Sequence, residues 1–230
     1  MHLPEPIPAI IHDETFAGVT YHIRGELVPE LQIEVGEQSV MFEHHVLLWK
    51  QTQLEIELRK LPGAIKRKIA GLEFFVTRTK GTGHVAFSRD SPGQVIPIHL
   101  SRGESLHVRE HQFLAASQNI DYSFERVKGV SNILMGGSGF FIDKFHSHEG
   151  DGILWLHGYG NVFERVLGPN EAIDVEPGGW LYKEPTVSME TNFQKLATGL
   201  LGSMNLVTNR FTGPGRIGIQ SMYMHLGATE

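Results

Sequence analysis

One arrangement of side chains in this sequence has the types and spacing for metal chemistry. His146 and His148 stand two apart in the run His146-Ser147-His148-Glu149. In an extended chain, residues two apart share a face, so both imidazoles could approach one divalent cation. Glu149 follows at once and would point to the opposite face. A metal site needs three or four convergent ligands, and no third histidine on a partner strand is evident. The run therefore reads first as an exposed polar turn, with His146 and His148 the only metal candidates and no cofactor expected. The adjacent His44 and His45 would face opposite ways in a strand. His107 and His111 share a face but lie roughly 13 Å apart at about 3.3 Å per residue, too far to chelate.

Other chemistries are less well served. Cupin-type enzymes use a His-x-His pair with a later Glu; a metal-dependent enzyme of that kind, centred on His146 and His148, is one alternative reading. Gly136-Gly137-Ser138-Gly139 lacks the Lys-Ser/Thr and following helix of a phosphate-binding loop. Phe140 stands where a nucleophile elbow needs its last glycine. A tight turn is the simpler reading of those glycines. Glu55 and Glu57 fall on the wet face of an alternating strand, where nothing apolar nearby in sequence would shift either pKa. No catalytic residue is assigned, and the chain is expected not to be an enzyme.

A basic cluster offers a binding surface instead. Arg59, Lys60, Lys66, Arg67 and Lys68 interleave with Ile65, Ile69 and Leu72. One helical turn there would set cations beside an apolar stripe, which suits an anionic membrane surface or an acidic partner. The plainer reading is a solvated loop whose cations offset nearby carboxylates.

Composition narrows the classes further. The chain has 230 residues, 40% hydrophobic and 20% charged, which describes a globular protein. Net charge is -6, which disfavours nucleic acid as the main partner. There is no cysteine, so disulfides and thiolate metal sites are excluded. Residues 1–9 contain three prolines and lack the basic and apolar regions of a secretory signal. No apolar run has the length of a membrane span. A cytoplasmic location is the expectation.

The elements that must position these residues come in repeats. Ser39-Val40-Met41-Phe42, Ser105-Leu106-His107-Val108 and Ala172-Ile173-Asp174-Val175 are spaced by 66 and then 67 residues. Each is followed by an apolar segment, then by an alternating one: Leu54, Ile56 and Leu58; Ile120, Tyr122 and Phe124; Val187, Met189 and Thr191. Alternation at period two marks a strand with one buried face. A third element follows in each copy (Phe74–Thr77, Phe140–Asp143, Asn205–Thr208), then an apolar strand near Val85, Ile153 and Ile217. Val19–Ile23 adds a fourth copy of that last strand, which would bring the chain ends together. Residues 63–71, 129–137 and 196–202 are expected to be short helical turns or loops. Trp155, Trp180, Phe87 and Phe140 take inward strand positions, as core rather than a base-stacking platform. The expected fold is all-β: three β-sandwich units of double-stranded β-helix type in one domain, with repeats near 17–72, 73–138 and 139–206 and closing strands at 207–224.

Gly139-Phe140-Phe141-Ile142, Asp174-Val175-Glu176-Pro177-Gly178-Gly179-Trp180-Leu181, Phe211-Thr212-Gly213-Pro214-Gly215-Arg216 and Phe113-Leu114-Ala115-Ala116 carry a further signal. Together they resemble the mitochondrial-biogenesis (altered inheritance of mitochondria) family and its bacterial relatives, from about Val19 to Tyr223. The resemblance implies a fold like that of the tryptophan RNA-binding attenuator protein, with three units around a pseudo-threefold axis. It brings no catalytic residues. Glu43-His44-His45 departs from the family's Pro-Gly-containing turn. The leading functional expectation is a non-enzymatic binding or scaffold protein that acts through a protein partner or as a homo-oligomer. Peripheral binding to an anionic membrane through residues 59–72 is the first alternative.

Overall fold

The structure is a computed structural model and describes residues 3–7, 12–59, 76–127, 140–197 and 203–222. The described chain is almost wholly β. In order, its strands are β1 Glu5–Pro6, β2 His12–Phe16, β3 Val19–Arg24, β4 Glu30–Val35, β5 Val40–Glu43, β6 Leu47–Lys50, β7 Glu55–Arg59, β8 Val76–Lys80, β9 Gly83–Phe87, β10 Gly93–Leu100 and β11 Ser105–Arg109. There follow β12 Phe113–Ser117, β13 Ile120–Val127, β14 Phe140–Ser147, β15 Gly152–Tyr159, β16 Val162–Leu167, β17 Ala172–Val175, β18 Trp180–Lys183, β19 Ser188–Ala197, β20 Ser203–Thr212 and β21 Gly215–Gln220. A 3-10 turn, His44–Val46, connects β5 to β6. The segments expected as helical turns at 63–71, 129–137 and 196–202 lie outside the described residues, apart from Leu196 and Ala197, which end β19. Among the described residues no helix is long and apolar enough to cross a membrane.

The strands form four antiparallel sheets, ordered β2-β3-β4-β9-β6, β10-β15-β12-β5-β8-β7, β1-β16-β21-β18-β11-β14-β13 and β17-β20-β19. The same two trios recur in them. One trio runs β4-β9-β6, then β10-β15-β12, then β16-β21-β18. The other runs β7-β8-β5, then β13-β14-β11, then β19-β20-β17. The two larger sheets arise where a trio of the first kind is joined to one of the second, by β12 pairing β5 and by β18 pairing β11.

This sharing of sheets explains the burial pattern. An outer sheet is wet on one face, so β3 and β4 alternate buried and part-exposed residues. The sheet carrying β15 is covered on both faces, and all eight residues of β15 are buried. Ile153 and Trp155 enter one core with Tyr21, Ile33 and Phe87. Leu154 and Leu156 enter a second with Leu106, Phe113 and Phe145. A third core joins Ile142, Trp180 and Ile217 to Val175, Val187 and Phe211. Trp155, Trp180 and Phe87 are thus core residues, as expected; the side chain of Phe140 lies outside the described residues.

The chain ends meet differently from the sequence expectation. β3 lies between β2 and β4, in a different sheet from β21. The N-terminal strand next to the C-terminal pair is instead β1, which pairs β16 beside β21. The strands expected to close the molecule, within 207–224, pair inside the last trios: β20 with β17 and β19, β21 with β16 and β18.

A buried ion pair fastens the first shared sheet. Glu43 ends β5 and is 2% exposed; its carboxylate takes a short contact from Arg89, 10% exposed. The same guanidinium donates to the carbonyl of Phe113 at 2.9 Å, at the start of β12. One cation therefore bridges the two strands that join the trios. Removing its partner leaves a buried charge unpaired, which costs about 3–5 kcal/mol. Glu43→Ala is expected to lower unfolding free energy by about that amount in urea denaturation, and Glu43→Gln, which keeps a hydrogen-bond acceptor, by less.

Candidate functional site: two unpaired strand edges

The joins between trios have a defined geometry. At the first, Ala115 faces Phe42, Ala116 faces Met41 and Ser117 faces Val40. At the second, Tyr182 faces Val108 and Lys183 faces His107. The strand contributed by the first kind of trio is bulged each time: the register against its own neighbour slips between Phe113 and Ala115 in β12, and between Trp180 and Tyr182 in β18. A bulge turns the extra residue out of the ladder. Those residues are Leu114 and Leu181, and each is fully buried in a core that the neighbouring trio helps to build.

β6 has the same trio position and the same slip, between Leu47 and Trp49. No described strand lies on its outer side. Its bulged residue, Leu48, is 55% exposed, and Trp49 is 39% exposed. The Trp49 indole donates to Glu30 at 3.3 Å. β17 is the counterpart of β5 and β11, and it too has no described strand on its outer side. Asp174 on β17 is held by Arg210 through two bonds of 2.8 Å, and that pairing pushes its carboxyl below the usual range. Among the other sheet ends, edge strand β10 contains Pro97, which cannot donate to a ladder, and β1 has only two residues, one of them Pro6; β2, β7, β13 and β19 are end strands too.

The residues singled out from the sequence are dispersed. The ring of His146 bonds Ser105 Oγ at 2.8 Å, while His148 pairs with Asp121 at 2.8 Å and with Glu149 at 3.3 Å. Among the described residues no group of three or more His, Asp or Glu could hold a metal ion. Arg59 ends β7, but its side chain, like Lys60, Lys66, Arg67 and Lys68, lies outside the described residues. Glu57 is shifted by charge, which the reading of its apolar neighbours in sequence did not address. Lys80, at 2.9 Å, and then Arg78, at 3.1 Å, hold its carboxyl below the usual range, because cross-strand neighbours distant in sequence supply the charge. Leu48 and Trp49 carried no motif. Their only signal was apolar side chains on a short strand whose counterparts, Leu114 and Leu181, look the same.

The shared sheets also bury titratable groups. His157 on β15 is fully buried, and burial, then Arg89, pushes its pKa down to about 4; Asp90 and the Ser91 backbone favour the charged ring but lose to burial. His107 is pushed to about 4 by burial, then by Lys183 and Lys144, with Glu125 opposing. Lys183 itself is pushed down to about 8, first by burial and then by Lys144.

The sequence model of the family described as mitochondrial biogenesis AIM24 matches residues 21–222. Among solved structures, the crystal structure of protein SPYM3_0169 from Streptococcus pyogenes is similar, with a TM-score of 0.69 and 18% identity, over 89% of this chain and 94% of that one. At that identity the likeness concerns the fold alone. No curated protein matches the chain.

The two depressed histidines fix the sign of the acid response. Each binds its proton more readily unfolded, near pH 6.5, than folded, near 4. Their contribution is complete above about pH 6.5 and is lost as pH falls towards 4. His22, raised by Asp13, acts the opposite way but on an exposed pair. Melting temperature is expected to fall across that window, and the slope to lessen by up to about one proton in His157→Gln, measured by calorimetry at several pH values.

Proposed function

We propose that this chain, which belongs to the mitochondrial biogenesis AIM24 family, is a non-enzymatic scaffold that works by protein–protein contact at its open strand edges. It is read as three tandem β units in one cooperative domain, each unit presenting one strand to receive a neighbour and one to be received. Two of the three contacts are made within the chain. The observation that carries the reading is the exposure of Leu48 and Trp49 on β6, where the counterparts in β12 and β18 are covered by a paired strand. An unpaired edge with exposed apolar residues is a template for strand addition. A catalytic role has no comparable support, since the candidate histidines are each engaged by separate partners.

Strand addition at β6 predicts association that depends on concentration. Multi-angle light scattering is expected to show species heavier than the 25.7 kDa chain as concentration rises. Hydrogen exchange should slow at β6 amides in the same samples. Leu48→Asp should abolish both effects with little change in melting temperature, because the side chain is exposed. A chain that stays at its monomer mass throughout, with β6 exchange independent of concentration, would sink the scaffold reading.

A further inference from the structure

We propose that the partner of β6 is β17 of a second copy of this chain, paired antiparallel with Trp49 opposite Val175 and Lys50 opposite Asp174. The inference rests on the scaffold reading and names its partner, strand and register.

The register follows from the two joins already made. In β12 the first residue after the bulge is Ala115, and it faces Phe42. In β18 it is Tyr182, and it faces Val108. In β6 that residue is Trp49. Phe42, Val108 and Val175 hold the same place in the three copies of the Ser39–Phe42 segment, and β17 presents Val175 on an edge with no described strand beside it. In this register Trp49 and Lys50 of β6 lie against Val175 and Asp174 of β17, a two-residue pairing like that of the second join.

Charge favours this pairing over that of the second join. The second join sets Lys183 against His107, which itself faces Lys144 on β14: three groups able to carry positive charge in one cross-strand row. That crowding contributes to the depressed pKa of His107. The corresponding row here is Lys50, Asp174 and Arg210, a carboxylate between two cations. Asp174 already accepts two bonds from Arg210, and a carboxylate has further lone pairs for an ammonium group. Opposite charges directly across an antiparallel pair attract.

Packing agrees. Leu114 and Leu181 each enter the core of the unit that receives their strand. Leu48 would enter the third core of the second copy, between Ile173 and Val175 at the β17 edge and the rest of that cluster. The two surfaces differ, so the contact is heterologous: each copy offers one β6 and one β17, and copies add head to tail into a closed ring or an open filament.

The absence of cysteine makes a direct test clean. Lys50→Cys and Asp174→Cys chains, mixed and oxidised, are expected to give a disulfide-linked pair of unlike copies, with little from either variant alone. Lys50→Asp should raise the concentration for half-assembly about three- to tenfold, and Lys50→Asp/Asp174→Lys should return it to within about twofold of the original, which also shows that the variants fold. If assembly persists with no cross-link and no charge rescue, β17 is the wrong partner and the scaffold reading stands. If one Lys50→Cys/Asp174→Cys chain instead closes on itself as a monomer, the edges meet within a molecule and the proposal is overturned. A chain that never associates defeats the proposal and the scaffold reading together.

Discussion

Everything in this molecule depends on strands from different trios sharing a sheet. A β-strand has two edges, and each backbone N–H and C=O on them must find a partner or water. Pairing β12 with β5 and β18 with β11 satisfies those groups and also lays one trio's sheet over the next trio's core. The sheet so formed is covered on both faces. Only then can β15 bury eight residues in succession, with Trp155 on one side and Leu156 on the other.

The polar groups inside the shared sheets follow from the same constraint. Arg89 lies where β5 ends and β12 begins, and it is tolerable there because Glu43 and the Phe113 carbonyl meet it. For His157 and His107 burial outweighs the groups that favour the charged ring, so they remain neutral over a wide pH range and register acid as a loss of stability. The bulges serve the joins as well. By slipping one residue out of the ladder they free Leu114 and Leu181 to pack across the boundary. Leu48 is set up identically on β6 and meets solvent, so the geometry that holds the chain together also defines its open ends.

Much of the local structure was legible. Alternating segments such as Leu54–Leu58 and Ile120–Phe124 read as strands, and the inward tryptophans Trp155 and Trp180 read as core. The continuous burial of β12 and β15 was less visible, since periodicity marks strands with one wet face and says little of those with none. Charge effects between strands were missed for the same reason. Glu57 looks solvated until β8 brings Lys80 and Arg78 across from it. His146 and His148 share a spacing suited to metal, yet Ser105 and Asp121, from two other strands, engage them separately.

By itself the sequence determined the all-β character, many of the strand positions and the likeness among the segments near Ser39, Ser105 and Ala172, because these rest on local propensity and short-range pattern; it did not place His146 and Ser147, read as an exposed turn, at the end of β14. It did not determine which edges pair. β12 with β5, β18 with β11, and β6 with nothing described are choices among chemically similar strands some 70 residues apart. Backbone hydrogen bonds are alike at every residue, so only the three-dimensional placement of the cores, and the side chains they leave opposite one another, decides which edge is covered and which stays open.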